Sequence, residues 1–149
     1  MSMSYSNKRG IYRNVLRRWA AMVLVAVPWT AWATAPSASL VQHGRYLVRD
    51  VGMCADCHTP RDRHGKDIAA RWLRGGPLDF KPVHPLPVWA KHSSDLIHLA
   101  RRWTERQWIR FLRTGIAPNG KRARPPMPDL HLSYYDARAV TAYIRLLKH

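Results

Sequence analysis

The decisive stretch is Val51-Gly52-Met53-Cys54-Ala55-Asp56-Cys57-His58-Thr59-Pro60. At its centre two thiols stand three residues apart, and an imidazole follows the second. On a helical turn, residues three apart share a face. Both sulfurs then reach the two vinyl groups along one haem edge, and His58 projects its ring under the iron. The pattern Cys-x-x-Cys-His is that of covalent c-type haem attachment. Cys54 and Cys57 are the only cysteines in the chain. A structural zinc site needs four ligands, and a thioredoxin-like pair needs a βαβ setting that the sequence does not show. A disulfide here would close too small a loop to stabilise much. A scrambled chain of this composition yields the pattern on the order of once in a thousand, which sets haem attachment ahead of these readings.

Upstream, residues 1–19 hold Lys8, Arg9, Arg13, Arg17 and Arg18 and no acid. An apolar run from Ala20 to Ala33 follows, broken by Pro28 and ending in Ala31-Trp32-Ala33. Basic start, short apolar core and small-residue exit describe a secretory signal peptide over residues 1–33. The run is shorter than the ~20 apolar residues of a spanning helix, although an uncleaved signal would leave a membrane-associated form. Export places the chain in the periplasm. Residues 34–39 read as a linker and residues 40–149 as the functional domain. The chain has 149 residues and a formal charge of +16; the part after residue 33 keeps 20 Lys and Arg against nine acids. Such a surface favours anionic partners, either acidic protein faces or an anionic membrane surface. Export argues against nucleic acid.

Downstream of the motif, residues 59–92 carry Pro60, Gly65, Gly75, Gly76, Pro77, Pro82, Pro85 and Pro87, which predict irregular structure. So long a loop in a small domain needs an organiser, and a buried macrocycle would serve. Flanking this loop, the spacing predicts helices only. Leu40, Leu47, Val48 and Val51 share a face with Gly44. A short helix is expected over Asp95 to Arg102. Thr104 with Gln107 forms a capping box ahead of Trp108, Phe111 and Leu112, and Gly115 is a stop. Ser133 with Asp136 starts a last helix to about Lys148, with Val140, Tyr143, Ile144 and Leu147 as its buried stripe. No segment alternates like a strand, so the fold class is all-α.

Haem iron in a carrier takes a second strong ligand. Met127 stands in Arg124-Pro125-Pro126-Met127-Pro128. Prolines on both sides predict extended, rigid backbone, which aims the thioether. Such a ligand favours Fe(II) and raises the potential. The competing reading is a methionine filling a loop gap. Met53 abuts Cys54 and cannot reach the opposite haem face. His84, His92, His98 and His131 are alternative ligands, with surface roles as the competing reading. A carbonyl near Gly75-Gly76-Pro77 is expected on the His58 ring nitrogen, fixing its tautomer.

With these residues in view, the sequence resembles class I monohaem cytochromes c. More narrowly, it is similar to the cytochrome c domains that accompany bacterial quinoprotein alcohol dehydrogenases. The matching pieces are Gly44-Arg45-Tyr46-Leu47, Cys54 to Pro60, Gly75-Gly76-Pro77, Trp103-Thr104, Leu112 to Gly115, Pro125 to Pro128, Leu132-Ser133 and Ala142-Tyr143-Ile144. The resemblance implies that the first and last helices cross with Gly44 near Tyr143. It implies one haem c and its iron, held by Cys54 and Cys57, with His58 and Met127 as axial ligands. It implies that Trp103 donates to a haem propionate; the competing role is a core aromatic. Arg122 and Arg124 flank the methionine loop, placed to steer acidic partners. The implied function is electron transfer, with no catalysis of its own, between a dehydrogenase and an acceptor such as an oxidase or another cytochrome. The alternatives are a relay subunit of a larger complex and a five-coordinate haem protein that binds a gas or peroxide. Two features depart from the pattern. The multi-haem dehydrogenase subunits carry three attachment motifs where this chain has one. The segment His84 to Ser94 lacks the Asn-Leu/Ile-Thr-Pro run common in those domains.

Overall fold

The computed structural model describes residues 35–147. The expected signal peptide lies outside them. Helix α1 spans Ala38–Tyr46. It starts inside the stretch expected to be linker, because Ser37 is its N-cap and accepts from Leu40 N at 3.2 Å. Its last turn widens into π geometry over Leu47–Val51, which the apolar spacing did not signal. Met53 then takes a left-handed backbone (φ 46°) that ends the first helical segment and starts α2, Cys54–His58. One 3₁₀ turn, Ala69–Arg71, interrupts the long loop. Helix α3 is Leu96–Arg102, capped by Asp95. Helix α4 is Glu105–Thr114, opened by the Thr104–Gln107 capping box and closed by Gly115 at φ 69°. Helix α5 is Tyr134–Leu146, capped by Ser133. The described residues contain no strand, only three isolated bridges such as Pro77 with His92. The all-α expectation therefore holds over residues 35–147.

Helix α1 lies across α5. The contact is close because Gly44 has no side chain: a Cβ there would collide with the Ala139 carbonyl and sit 3.0 Å from Tyr143 Cβ. Beside this crossing, His43 Nε2 donates to Asp136 Oδ1 at 2.7 Å, and the His43 ring lies against Tyr135. The apolar core joins Val48, Ala55, Leu73, Ile97, Trp108, Leu112, Val140 and Ile144. Among the residues expected on the α5 stripe, Val140, Tyr143 and Ile144 are buried and Leu147 is half-buried. Arg145 of α5 donates to the carbonyls of Ala100 and Trp103 at 3.2 and 2.9 Å, which fixes the junction between α3 and α4.

Asp136 gives a pH test of the crossing. Hydrogen bonds from His43 and Ser133 hold its carboxyl below the usual carboxylate range. A lowered folded pKa stabilises above the unfolded value, near 4, and that contribution is lost as pH falls through the folded value. The pair is partly exposed, so Asp136→Asn should cost about 1 kcal/mol or less at neutral pH. It should also flatten the acid limb below about pH 4. Denaturation midpoints measured against pH check both.

Candidate functional site

Three segments converge beside the core. The first is α2. Its helical turn places Cys54 and Cys57 half-buried, neither in a disulfide. Burial pushes the Cys54 thiol up, the reverse of the depressed value found at redox-active thiols. His58 is 7% exposed. Burial pushes its imidazole down, against a hydrogen bond to Ser94 that acts the other way. Nδ1 donates to the Ser94 carbonyl at 2.8 Å, so the neutral ring carries its lone pair on Nε2.

The second segment is the loop that holds Ser94. The expectation that Gly75-Gly76-Pro77 supplies the acceptor is corrected: these residues position it instead. Gly75 N donates to the His58 carbonyl at 2.6 Å and Ser93 N to the Gly76 carbonyl at 2.9 Å. Gly75 has φ +69°, and a Cβ there would meet Ser93 O at 2.5 Å. Only glycine allows the two chains to pass so closely. Thr59 Oγ1 accepts from Leu73 N at 3.1 Å, which pins the same loop to the end of α2.

The third segment carries Met127. The prolines do not hold it extended as expected. The Pro125–Pro126 bond is cis, and Met127 N donates to Arg124 O at 3.1 Å across a tight turn. Ala90 N donates to the Pro125 carbonyl at 2.7 Å, which ties this turn to the long loop. The turn leaves Met127 half-buried.

These segments, with α4 and α5, enclose a cavity of about 570 Å³ whose wall includes Cys54, Cys57, His58, Trp103 and Met127. The structure thus brings all five sequence-predicted site residues to one space. Of the alternative ligands, His92 reaches the wall; His84, His92, His98 and His131 are all exposed. Arg122 and Arg124 also border the cavity, but Arg122 is paired with Asp129 at 2.8 Å.

Sequence reasoning missed one residue. Trp108 read only as an apolar face of α4, yet it lines the cavity. Its Nε1 is the one buried side-chain N or O among the described residues without a hydrogen-bond partner. An unmatched buried donor costs about 1–3 kcal/mol. The periodicity could not have flagged it, because an indole counts as apolar in any helical pattern.

The residues fit a haem. The cavity is within the usual size range of cofactor sites, two free thiols lie on its wall, and one buried imidazole has its inner nitrogen already engaged. Among the described residues no group of three or more His, Cys, Asp or Glu could hold a metal ion directly. None of their helices is long and apolar enough to cross a membrane.

Comparison with known proteins agrees with this chemistry. The chain is 30% identical over 109 residues to a diheme cytochrome c-type protein of Cereibacter sphaeroides, covering 70% of this chain and 34% of that one. It is 29% identical over 111 residues to a subunit of the nicotinate dehydrogenase of Pseudomonas putida, covering 70% and 9%. It is 34% identical over 77 residues to the cytochrome c subunit of a Gluconobacter oxydans quinone alcohol dehydrogenase, covering 50% and 16%. The chain spans about a third or less of the length of these curated relatives. No family model matches it, and no solved structure does so significantly. These similarities support a cytochrome c type and haem c with iron as the kind of cofactor.

Proposed function

We propose that this chain is an exported, periplasmic electron carrier with one haem c. Cys54 and Cys57 form the thioethers, and His58 and Met127 take the axial positions on the iron. The observation that carries this reading is the convergence of those four side chains on one cavity, with His58 Nδ1 already engaged. Bound haem supplies the one-electron Fe(II)/Fe(III) chemistry. The chain's own residues hold and orient it. Ser94 keeps the His58 lone pair on Nε2. The turn at Arg124–Met127 presents a thioether. Val140, Ile144, Leu112 and Phe111 keep water from the wall. Two thioether ties fit a setting in which lost haem is not recovered.

The 20 Lys and Arg against nine acids beyond residue 33 suit acidic faces on a dehydrogenase, an oxidase or another cytochrome, and also an anionic membrane surface. Two of the relatives are named as dehydrogenase subunits. That favours a second reading in which the chain works as a relay inside such a complex rather than as a free carrier.

The test is the intact mass and optical spectrum of chain expressed with haem-attachment machinery, compared with Met127→Ala. The native chain should gain the mass of one haem and give a low-spin spectrum. Met127→Ala should keep the mass, lower the potential by on the order of 0.1 V or more, and open the reduced iron to carbon monoxide. An unchanged potential in that variant would remove Met127 from the iron.

A further inference from the structure

The excess of basic residues is not spread evenly: four arginines gather on one side of the α4–α5 pair. Arg106, Arg110 and Arg113 follow one another at helical spacing along α4, and all three are exposed. At about 100° per residue they turn away from Trp108, Phe111 and Leu112, through which α4 meets the cavity. Arg138 of α5 is exposed too, and it turns away from Val140 and Ile144, through which α5 meets the same cavity. Tyr134 joins the two helices here. Its ring lies 5.8 Å from the Arg113 guanidinium and 5.9 Å from that of Arg138. The ion pairs among the described residues use His43, Arg61, Arg74 and Arg122, and none of these four arginines. Glu105 is the one acid of α4 and stands in its first turn, about 100° round the helix from Arg106. The result is an outward face of four guanidiniums with no carboxylate paired to them.

We propose that this arginine face binds the surface of an anionic phospholipid bilayer, with α4 and α5 standing between the lipid and the cavity. Guanidinium forks match phosphate oxygens two at a time. The Tyr134 ring already holds two of the forks, so less side-chain freedom is lost on binding. Tyr134 and Tyr135 are each 56% exposed, and such rings, apolar in body and polar at the tip, suit the headgroup layer. A protein partner fits less well on two counts. Protein interfaces centre on an apolar patch, whereas α4 exposes no large apolar side chain. A redox partner docked here would also meet the outer sides of α4 and α5 rather than the cavity. The inference goes beyond the carrier reading and does not depend on what the cavity holds. A carrier held this way would search for donor and acceptor along the membrane surface while its cavity stays clear of the lipid.

The experiment is co-sedimentation of secreted holoprotein with vesicles of phosphatidylcholine, alone or with about 30 mol % phosphatidylglycerol. The native chain should bind only the anionic vesicles and leave them at about 0.5 M salt. That comparison needs no variant to fold. The face variant combines Arg106→Gln, Arg110→Gln, Arg113→Gln and Arg138→Gln. Its control combines Arg63→Gln, Lys66→Gln, Lys81→Gln and Lys91→Gln, four exposed residues of the long loop with the same change in charge. A basic residue at such a surface contributes about fivefold, so the face variant should bind on the order of a hundredfold more weakly and the control less than about tenfold. Tyr134→Ala leaves the charge unchanged and should still weaken binding about threefold or more. Melting temperatures of the variants should stay near the native value. The inference is overturned if the control loses as much as the face variant, which would mean attraction by total charge alone. It is overturned if the native chain stays bound at high salt, which would mean an apolar anchor elsewhere. Displacement by about 10 mM inorganic phosphate at matched ionic strength would make the ligand a free anion instead. A larger loss on polyglutamate than on the vesicles would assign the face to an acidic protein. Intact mass of the same samples keeps the two readings apart: a chain without haem mass that still binds through this face overturns the carrier reading alone, and a haem-loaded chain indifferent to anionic lipid overturns only this inference.

Discussion

Replacing His58 by alanine should abolish the low-spin spectrum and cut the yield of folded holoprotein about tenfold or more, because ligation and folding are coupled. His58 sits at the end of α2, 7% exposed, between Cys57 and the buried Thr59. Three losses coincide in the variant. Under the proposed ligation, the iron would lose the imidazole whose free nitrogen the Ser94 bond defines. The Ser94 carbonyl, 2.8 Å from Nδ1, loses its donor, at about 1–3 kcal/mol if it is left dry. The space of the ring opens beside Ala55 and the core. The first loss alone changes the spectrum; the other two lower the yield. Added imidazole separates them. In the surviving His58→Ala protein it should restore a low-spin spectrum without restoring stability. Intact mass then reports whether Cys54 and Cys57 still form thioethers. A His58→Ala holoprotein with a native low-spin spectrum would mean that another side chain holds the iron.

What was legible in the sequence was local. The Cys-x-x-Cys-His turn, the Thr104–Gln107 box, the Ser133 cap and the Gly115 stop each depend on residues within four positions, and each forms as its residue types dictate. The Gly44 contact was legible only through resemblance, since no local rule says which helix a glycine will meet. Other features depend on chain segments far apart. The acceptor for His58 lies 36 residues away, and the partner of His43 lies 93 away. Glycines near Gly75 were noticed, but their effect is to let the Ser93–Ser94 chain come close, and a sequence does not reveal which neighbour passes. Met127 was legible as a residue but not in its backbone, because prolines restrict φ in extended chain and turns alike. Helical spacing puts Trp108 on the apolar face of α4, where it is buried; that its N–H has no partner depends on segments distant in sequence and leaves no local signal.

Gly44→Ala should destabilise the holoprotein by about 3 kcal/mol or more, with a fall in melting temperature of roughly 10 °C or more. In an isolated helix this change is favourable by about 0.5–1 kcal/mol, so the expected sign is set entirely by the contact with α5. There an added methyl would overlap the Ala139 carbonyl oxygen and carbon. These are backbone atoms inside a helix and cannot swing aside as a side-chain tip would. Relief requires α1 and α5 to move apart. That movement reaches the site from two directions. Val140 and Ile144 of α5 form part of the cavity wall, and α1 leads through its π turn and Met53 to Cys54. The variant should therefore lose haem-pocket rigidity along with stability, seen as faster carbon monoxide binding to the reduced protein. Gly65→Ala is the matched comparison: it places the same methyl at φ +77° with nothing within 4 Å, so it costs only the backbone term of about 1–2 kcal/mol. If denaturant titrations show Gly44→Ala no less stable than Gly65→Ala, the two helices do not meet as closely at Gly44 as this fold requires.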